Sequence, residues 1–236
     1  MTFADKILAF NDNLDMDPAL LPDGISVMNP FRGEHAGTIR NVTSQFYRRF
    51  YADNDLRHLI LGINPGRFGA GVTGVPFTDT KRMKEICGID IAIAPTHEPS
   101  SVFVYEVVDA FGGPVPFYRK FYINSVCPLG FTRANEKGNE VNYNFYDDRQ
   151  LQEAVTPFII DCIERQIDFG AATDRCYCMG RGKNFKYLNA LNKQQKWFGE
   201  IVPLDHPRFV IQYRSRRMPE YVESYVQALS LAGSPL

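Results

Sequence analysis

Two stretches of this chain carry residue types that can do chemistry. The first runs Leu61-Gly62-Ile63-Asn64-Pro65-Gly66-Arg67-Phe68-Gly69-Ala70-Gly71-Val72-Thr73-Gly74-Val75-Pro76-Phe77. Its glycines can take positive φ and let a ligand approach the backbone closely. Pro65 holds Asn64 out of the helical region, so the Asn64 amide is set at a fixed point. The run has neither the Gly-Lys-Ser/Thr of a Walker loop nor a G-x-G-x-x-G spacing, so on its own it is a tight turn or a ligand loop. The second stretch is Leu204-Asp205-His206-Pro207, followed by Arg208-Phe209-Val210-Ile211-Gln212-Tyr213-Arg214-Ser215-Arg216-Arg217. A neutral imidazole can donate one ring N–H to a group gaining negative charge. Arginines interleaved with aromatics suit phosphates flanking an apolar wedge, or form an exposed basic loop around a packed Phe. His35, His58 and His97 lie outside both stretches and read as hydrogen-bonded structural residues.

Something must position these groups. Four short apolar runs, His58–Ile63, Phe121–Val126, Arg175–Met179 and Glu200–Leu204, have the pattern of strands buried on both faces. Helical patterns alternate with them, over Phe3–Leu14, Thr38–Tyr51, Thr80–Cys87, Ser101–Phe111, Asp147–Phe169, Lys183–Phe198 and Pro219–Leu231. This alternation predicts an α/β fold, three layers α/β/α around a central four-stranded parallel sheet. One domain over residues 1–236 is expected, with a helical cover over 1–55 and a motif-bearing core over 56–236. Ligands of such sheets bind at the carboxyl ends of the strands. Both chemistry-bearing stretches follow directly on a strand.

Composition narrows the function classes. The chain has 236 residues, 44% hydrophobic and 22% charged, with a formal charge of −1. That excludes a disordered polyelectrolyte. The total hides a polarised chain. Arg175–Arg217 holds ten Lys and Arg against Glu200 and Asp205, a net +8, whereas the first thirty residues carry −4. A polyanionic partner would therefore meet the side of the molecule that holds His206.

No apolar run reaches membrane-spanning length and the N-terminus lacks the features of a secretory signal. Five scattered cysteines argue against a disulfide framework and for a reducing, cytoplasmic setting. Cys176-x-Cys178 has no second thiol pair to complete a cluster site, and Asp12-x-x-Asp15-x-Asp17 lacks the Gly and terminal Glu of a calcium loop. No metal or cofactor is expected, no membrane, and a monomer. Gly180-Arg181-Gly182-Lys183 suits either a phosphate contact or a plain turn into a helix.

The long first run resembles the first motif of the single-strand-selective monofunctional uracil-DNA glycosylases, of the uracil-DNA glycosylase superfamily. Tyr122-Ile123-Asn124-Ser125-Val126-Cys127-Pro128-Leu129 is similar to the family's second block, Met179-Gly180-Arg181-Gly182 to its strand-to-helix turn, and Leu204-Asp205-His206-Pro207 to its final His-Pro motif. The resemblance spans about Leu56 to the C-terminus. It implies a DNA-repair hydrolase that flips a base out of the stack and cleaves its N-glycosidic bond. By resemblance His206 stabilises the departing base and Asn64 positions the attacking water. Phe77 stacks on the base, and Gly62, Ile63, Pro65, Gly66 and Ser125 form the rest of the base pocket. Arg67, Lys183, Arg208, Phe209, Arg214, Arg216 and Arg217 are the expected DNA contacts.

Two departures stand out. Where the family reads the uracil edge with an Asn, this chain has Ser125, with Asn124 one residue earlier and, on a regular strand, on the opposite face. A hydroxyl reaches less far than an amide, so looser discrimination is expected, extending to other deaminated bases such as xanthine. The segment after His206-Pro207 also lacks the family's usual Ser-Pro, as in a divergent bacterial branch. A non-catalytic binder of damaged DNA or bases, and a nucleoside hydrolase, are the alternatives. The basic segment speaks against the latter.

Overall fold

The computed structural model describes residues 1–233. In chain order its elements are α1 (Phe3–Asp12), β1 (Ile25–Met28), α2 (Ala36–Phe50), β2 (His58–Gly62), α3 (Ala70–Thr73), α4 (Thr80–Glu85), α5 (Pro99–Ala110) and α6 (Pro114–Lys120). There follow β3 (Phe121–Ser125), β4 (Gly130–Ala134), β5 (Glu140–Tyr143), α7 (Arg149–Asp168), β6 (Arg175–Met179), α8 (Lys183–Gln195), β7 (Glu200–Leu204), α9 (Pro207–Tyr213) and α10 (Met218–Ser230).

The four predicted strands pair in parallel in the order β3-β2-β6-β7. Every residue of β2, β3 and β6 is buried, so helices cover both faces of this part of the sheet. Their β-branched, aromatic and cysteine side chains pack on either side, as in a fully enclosed parallel sheet. The predicted helices are present with ends shifted by up to three residues, as fraying and capping allow.

The sequence pattern did not show a second sheet, antiparallel, in the order β1-β4-β5. The β4–β5 hairpin grows from the loop after β3 and reaches the first motif. Nor did the pattern show α6 and α9. The segment after His206, read as an arginine-flanked wedge or an exposed basic loop, starts as a helix with Pro207 at its first position, where a missing N–H costs nothing.

The N-terminal layer is tied to the sheet by a buried cation. The Arg57 guanidinium holds the Asp53 carboxylate with both oxygens, at 2.7 and 3.0 Å, and donates to the Tyr118 carbonyl at 2.8 Å. It also lies over the Phe3 and Tyr51 rings. Hydrogen bonds fill its donors, which is the condition for burying a charge. One continuous core runs from Phe3 to Leu229. No helix among the described residues is long and apolar enough to cross a membrane.

Candidate active site

The turns at the carboxyl ends of β2, β6 and β7 converge. Asn184, at the start of α8, donates to the Gly62 and Met179 carbonyls at 3.2 and 3.0 Å, locking the ends of β2 and β6 together. Asp205, the last residue before His206, is held from two sides. Arg181 pairs with its carboxylate at 3.0 Å, and the Tyr225 hydroxyl of α10 donates to its carbonyl. His206 is therefore carried on a fixed turn.

His206 is the N-cap of α9, and its Nδ1 accepts the Arg208 N–H at 3.2 Å. An accepting Nδ1 leaves the proton of a neutral ring on Nε2. Burial, followed by the Arg208 charge, pulls the His206 pKa down to about 4. At neutral pH the ring is thus an uncharged donor whose Nε2–H is free for a ligand. The ring lies beside Phe77, tilted by 58° with centroids 6.2 Å apart.

Asn64 is held from the opposite side by the hairpin. Its Nδ2 donates to the Tyr143 carbonyl at 3.2 Å and to the Pro65 carbonyl at 3.4 Å, and its Oδ1 accepts the Phe145 N–H at 3.2 Å. Both amide hydrogens are used, and Oδ1 keeps one lone pair. Such a group can accept a hydrogen bond from water and fix its direction, but it cannot take a proton at neutral pH. The hairpin holds Arg67 too. The Arg67 N–H donates to Asn142 Oδ1 at 3.0 Å and its guanidinium to the Glu140 carbonyl. Neither group faces the cavity freely in this arrangement.

Phe77 has φ +53°, in the left-handed region where a non-glycine residue costs on the order of 1–3 kcal/mol. Its ring lies on Gly62, where an added Cβ would fall 2.8 Å from Phe77 Cε2 and Cζ. Gly62→Ala should displace the ring without touching the chemical groups. Stacking is worth about 1–3 kcal/mol per base, so kcat/KM is expected to fall roughly 5- to 150-fold. Steady-state kinetics would measure it, and an unchanged kcat/KM would show that the ring position does not matter.

A cavity of about 180 Å³ gathers Asn64, Pro65, Gly66, Phe77 and His206, all singled out from the sequence. Ile63 lines it as well. Ser125 ends β3 opposite Gly62, is buried, and is not among the residues lining this cavity. The pairing of β2 with β3 is unbroken through Ser125, so no bulge turns Asn124 inward. Instead Asn124 bonds the Tyr122 hydroxyl at 2.9 Å and the Ser125 N–H at 2.8 Å.

The cavity also brings in residues that sequence reasoning passed over: Glu98, Ser100, Asn142 and Asn144. The asparagines belong to the hairpin segment. Glu98 precedes Pro99 at the start of α5, and the Glu-Pro pair was the one signal for it. Its Oε2 is buried with no hydrogen-bond partner. Burial, and then the Asp79 charge, push its pKa up to about 7, against the opposing pull of Arg208.

A larger open groove, about 440 Å³, adjoins the cavity and shares Ile63, His206 and Arg208 with it. Lys183, Phe209 and Tyr213 also line it. Phe209 is 37% and Tyr213 61% exposed, large values for aromatic side chains. Arg214 covers the Phe209 ring, Arg216 is exposed, and Arg217 pairs with Glu220 at 2.6 Å. Lys183 lies 3.7 Å from Asp147. All five cysteines are buried and free, and Cys176 and Cys178 alternate along β6. No group of three or more metal-ligating side chains gathers among the described residues.

The sequence model of the uracil DNA glycosylase superfamily matches residues 49–230. Among solved structures, the crystal structure of wild-type SMUG2 from Pedobacter heparinus is similar at 48% identity, covering 100% of both chains with a TM-score of 0.95. Comparison with curated proteins returns no match.

Proposed function

The chain belongs to the uracil DNA glycosylase superfamily and is a uracil-DNA glycosylase, a DNA-repair hydrolase of N-glycosidic bonds; from that premise we propose how its own residues do the work. The flipped base enters the cavity and stacks on Phe77. The C1′–N bond breaks heterolytically, charge builds on the base, and the neutral His206 ring donates its Nε2–H to a base carbonyl. Asn64 directs water to the sugar. The observation that carries this reading is the Arg208 N–H on His206 Nδ1, which leaves the remaining proton on Nε2 of a ring that lines the same cavity as Asn64. Leaving-group stabilisation of this kind gains most in a dry, preorganised site.

The groove beside the cavity is the DNA face in this reading. Phe209 fills the gap left by the flipped base, while Lys183, Arg208, Arg214 and Arg216 meet phosphates. Lys183, Arg67 and Arg217 must first leave their protein partners to do so. Ile63, Pro65 and Gly66 frame the base from the cavity wall, with Gly62 behind the Phe77 ring and Ser125 at the end of β3 beside it. Ser125 lies off the cavity wall and Asn124 is turned away, so no amide from β3 reads the base edge, which supports acceptance of further deaminated bases, xanthine among them. The continuous core supports one domain with residues 1–55 as its cover. Five buried, unpaired cysteines support a reducing, cytoplasmic setting. Family membership does not favour a non-catalytic binder or a nucleoside hydrolase.

Oligonucleotides carrying uracil, xanthine or hypoxanthine, single- and double-stranded, provide the test. Release of uracil to leave an alkali-labile abasic site is expected, with DNA affinity falling steeply as salt rises. No base release from any of them would overturn the reading.

A further inference from the structure

We propose that Glu98 is a further catalytic residue, the general base that takes the proton from the water Asn64 orients. This rests on the reaction proposed above. Hydrolysis needs a proton acceptor at the sugar, and the first motif does not contain one. Asn64 has no basic atom to offer. His206 already accepts the Arg208 N–H on Nδ1 and carries its proton on Nε2. Ser100, Asn142 and Asn144 are neutral, and Arg208 is a cation. Glu98 is the only carboxyl group among the described residues lining the cavity.

The placement of Glu98 is also unusual. It is the N-cap of α5, yet its side chain makes no capping bond. The carboxyl instead lies over Gly69, where any Cβ would collide with it. Its Oε2 is buried and unpartnered, a costly arrangement for a carboxyl group. Such local cost is found where function demands it.

The surrounding charges poise the group. Asp79, in the turn before α4, accepts the Glu98 N–H at 3.0 Å and the Ser101 hydroxyl at 2.9 Å. Arg82 of α4 pairs with Asp79 at 3.2 Å, and His97 approaches it at 3.6 Å. Arg208 of α9 acts from the other side. A carboxyl titrating near neutrality suits a proton acceptor working at that pH. The step balances. The C1′–N electron pair leaves with the base, a water lone pair forms the C1′–O bond, and the water proton moves to Glu98. That proton then passes to the base anion directly or through solvent.

The test is single-turnover uracil release from a single-stranded oligonucleotide between pH 5.5 and 9. The wild-type rate should rise through about pH 7 as Glu98 ionises. Glu98→Gln should lower the rate at pH 8 by about 10²-fold or more, flatten that rise, and leave oligonucleotide affinity unchanged. In Glu98→Ala, added formate should restore part of the rate by occupying the vacated space. Folding is checked by thermal melts. The native carboxyl pKa lies above its unfolded value, so its destabilising effect is present above about pH 7 and absent below about pH 4.5. Glu98→Gln should accordingly melt higher than wild type at pH 8, with the difference gone by pH 4.5. A Glu98→Gln enzyme with wild-type rate, one that keeps the pH rise, failure of formate, or a lower melt at pH 8 would each overturn the proposal. If the wild-type protein releases no uracil, it is the underlying reading that falls.

Discussion

His206→Ala is expected to slow uracil release by about 10²–10³-fold, the usual loss when one preorganised donor to a developing anion is removed. The argument rests on a chain of hydrogen bonds. The Arg208 N–H occupies Nδ1, so the neutral ring can present only a donor. Since the ring protonates only as pH falls through about 4, this donor persists in the same form across the range where the enzyme would be assayed. Affinity for uracil DNA should change little, because the interaction strengthens only as charge develops. The substitution also removes an N-cap, worth about 1 kcal/mol. His206→Asn restores a capping oxygen and a donor, so it should recover stability fully and rate partly. Stability has its own pH signature. The folded-state pKa lies below the unfolded value near 6.5, so wild type loses stability as pH falls from 6.5 towards 4. The loss is at most about 3 kcal/mol. His206→Ala should lack this dependence. Single-turnover rates, oligonucleotide affinity and melts between pH 4 and 8 check all three points, and equal rates for wild type and His206→Ala would remove His206 from the mechanism.

Asn64→Asp is expected to cripple the enzyme, although a carboxylate is the better base. Both amide hydrogens of Asn64 point at carbonyl oxygens, those of Tyr143 and Pro65. An Asp there turns two donations into repulsions and leaves two carbonyls without partners, at about 1–3 kcal/mol each. The loop after β2 must shift, and a displacement of about 1 Å commonly costs 10²-fold in rate. Single-turnover release should fall by at least that factor at pH 8, together with a lower melting temperature. The melt should recover as pH falls through the carboxyl range, because a protonated Asp regains one donor. A faster Asn64→Asp enzyme would show that the hairpin does not fix this side chain.

The parts of the fold that could be read from sequence were those set by local pattern. Leu59, Ile60 and Leu61 form an apolar run because both faces of β2 are covered, and the run betrays that directly. The antiparallel sheet hid because β5, Glu-Val-Asn-Tyr, is mostly exposed and polar and exists only by pairing with β4. Helix α9 hid because it is short and runs into the arginines that follow it, though Pro207 after a side chain able to cap is a recognised helix start. Within the site, Asn64, Phe77 and His206 lie in the first and last motifs and converge because both motifs follow parallel strands. Asn142 and Glu98 could not be placed that way. One arrives on a hairpin nearly eighty residues from Asn64, and the other sits at a helix start whose residue type gives a poor cap. The exclusion of Asn124 was legible, since strand alternation alone assigns it to the far face.

The Phe145 amide proton points at a side chain 81 residues away in sequence, Asn64 Oδ1. Its exchange with solvent deuterium therefore reports on one event, the parting of the hairpin from the loop after β2. That proton is a built-in clock for how often Asn64 comes loose, readable on the resting protein with no DNA present.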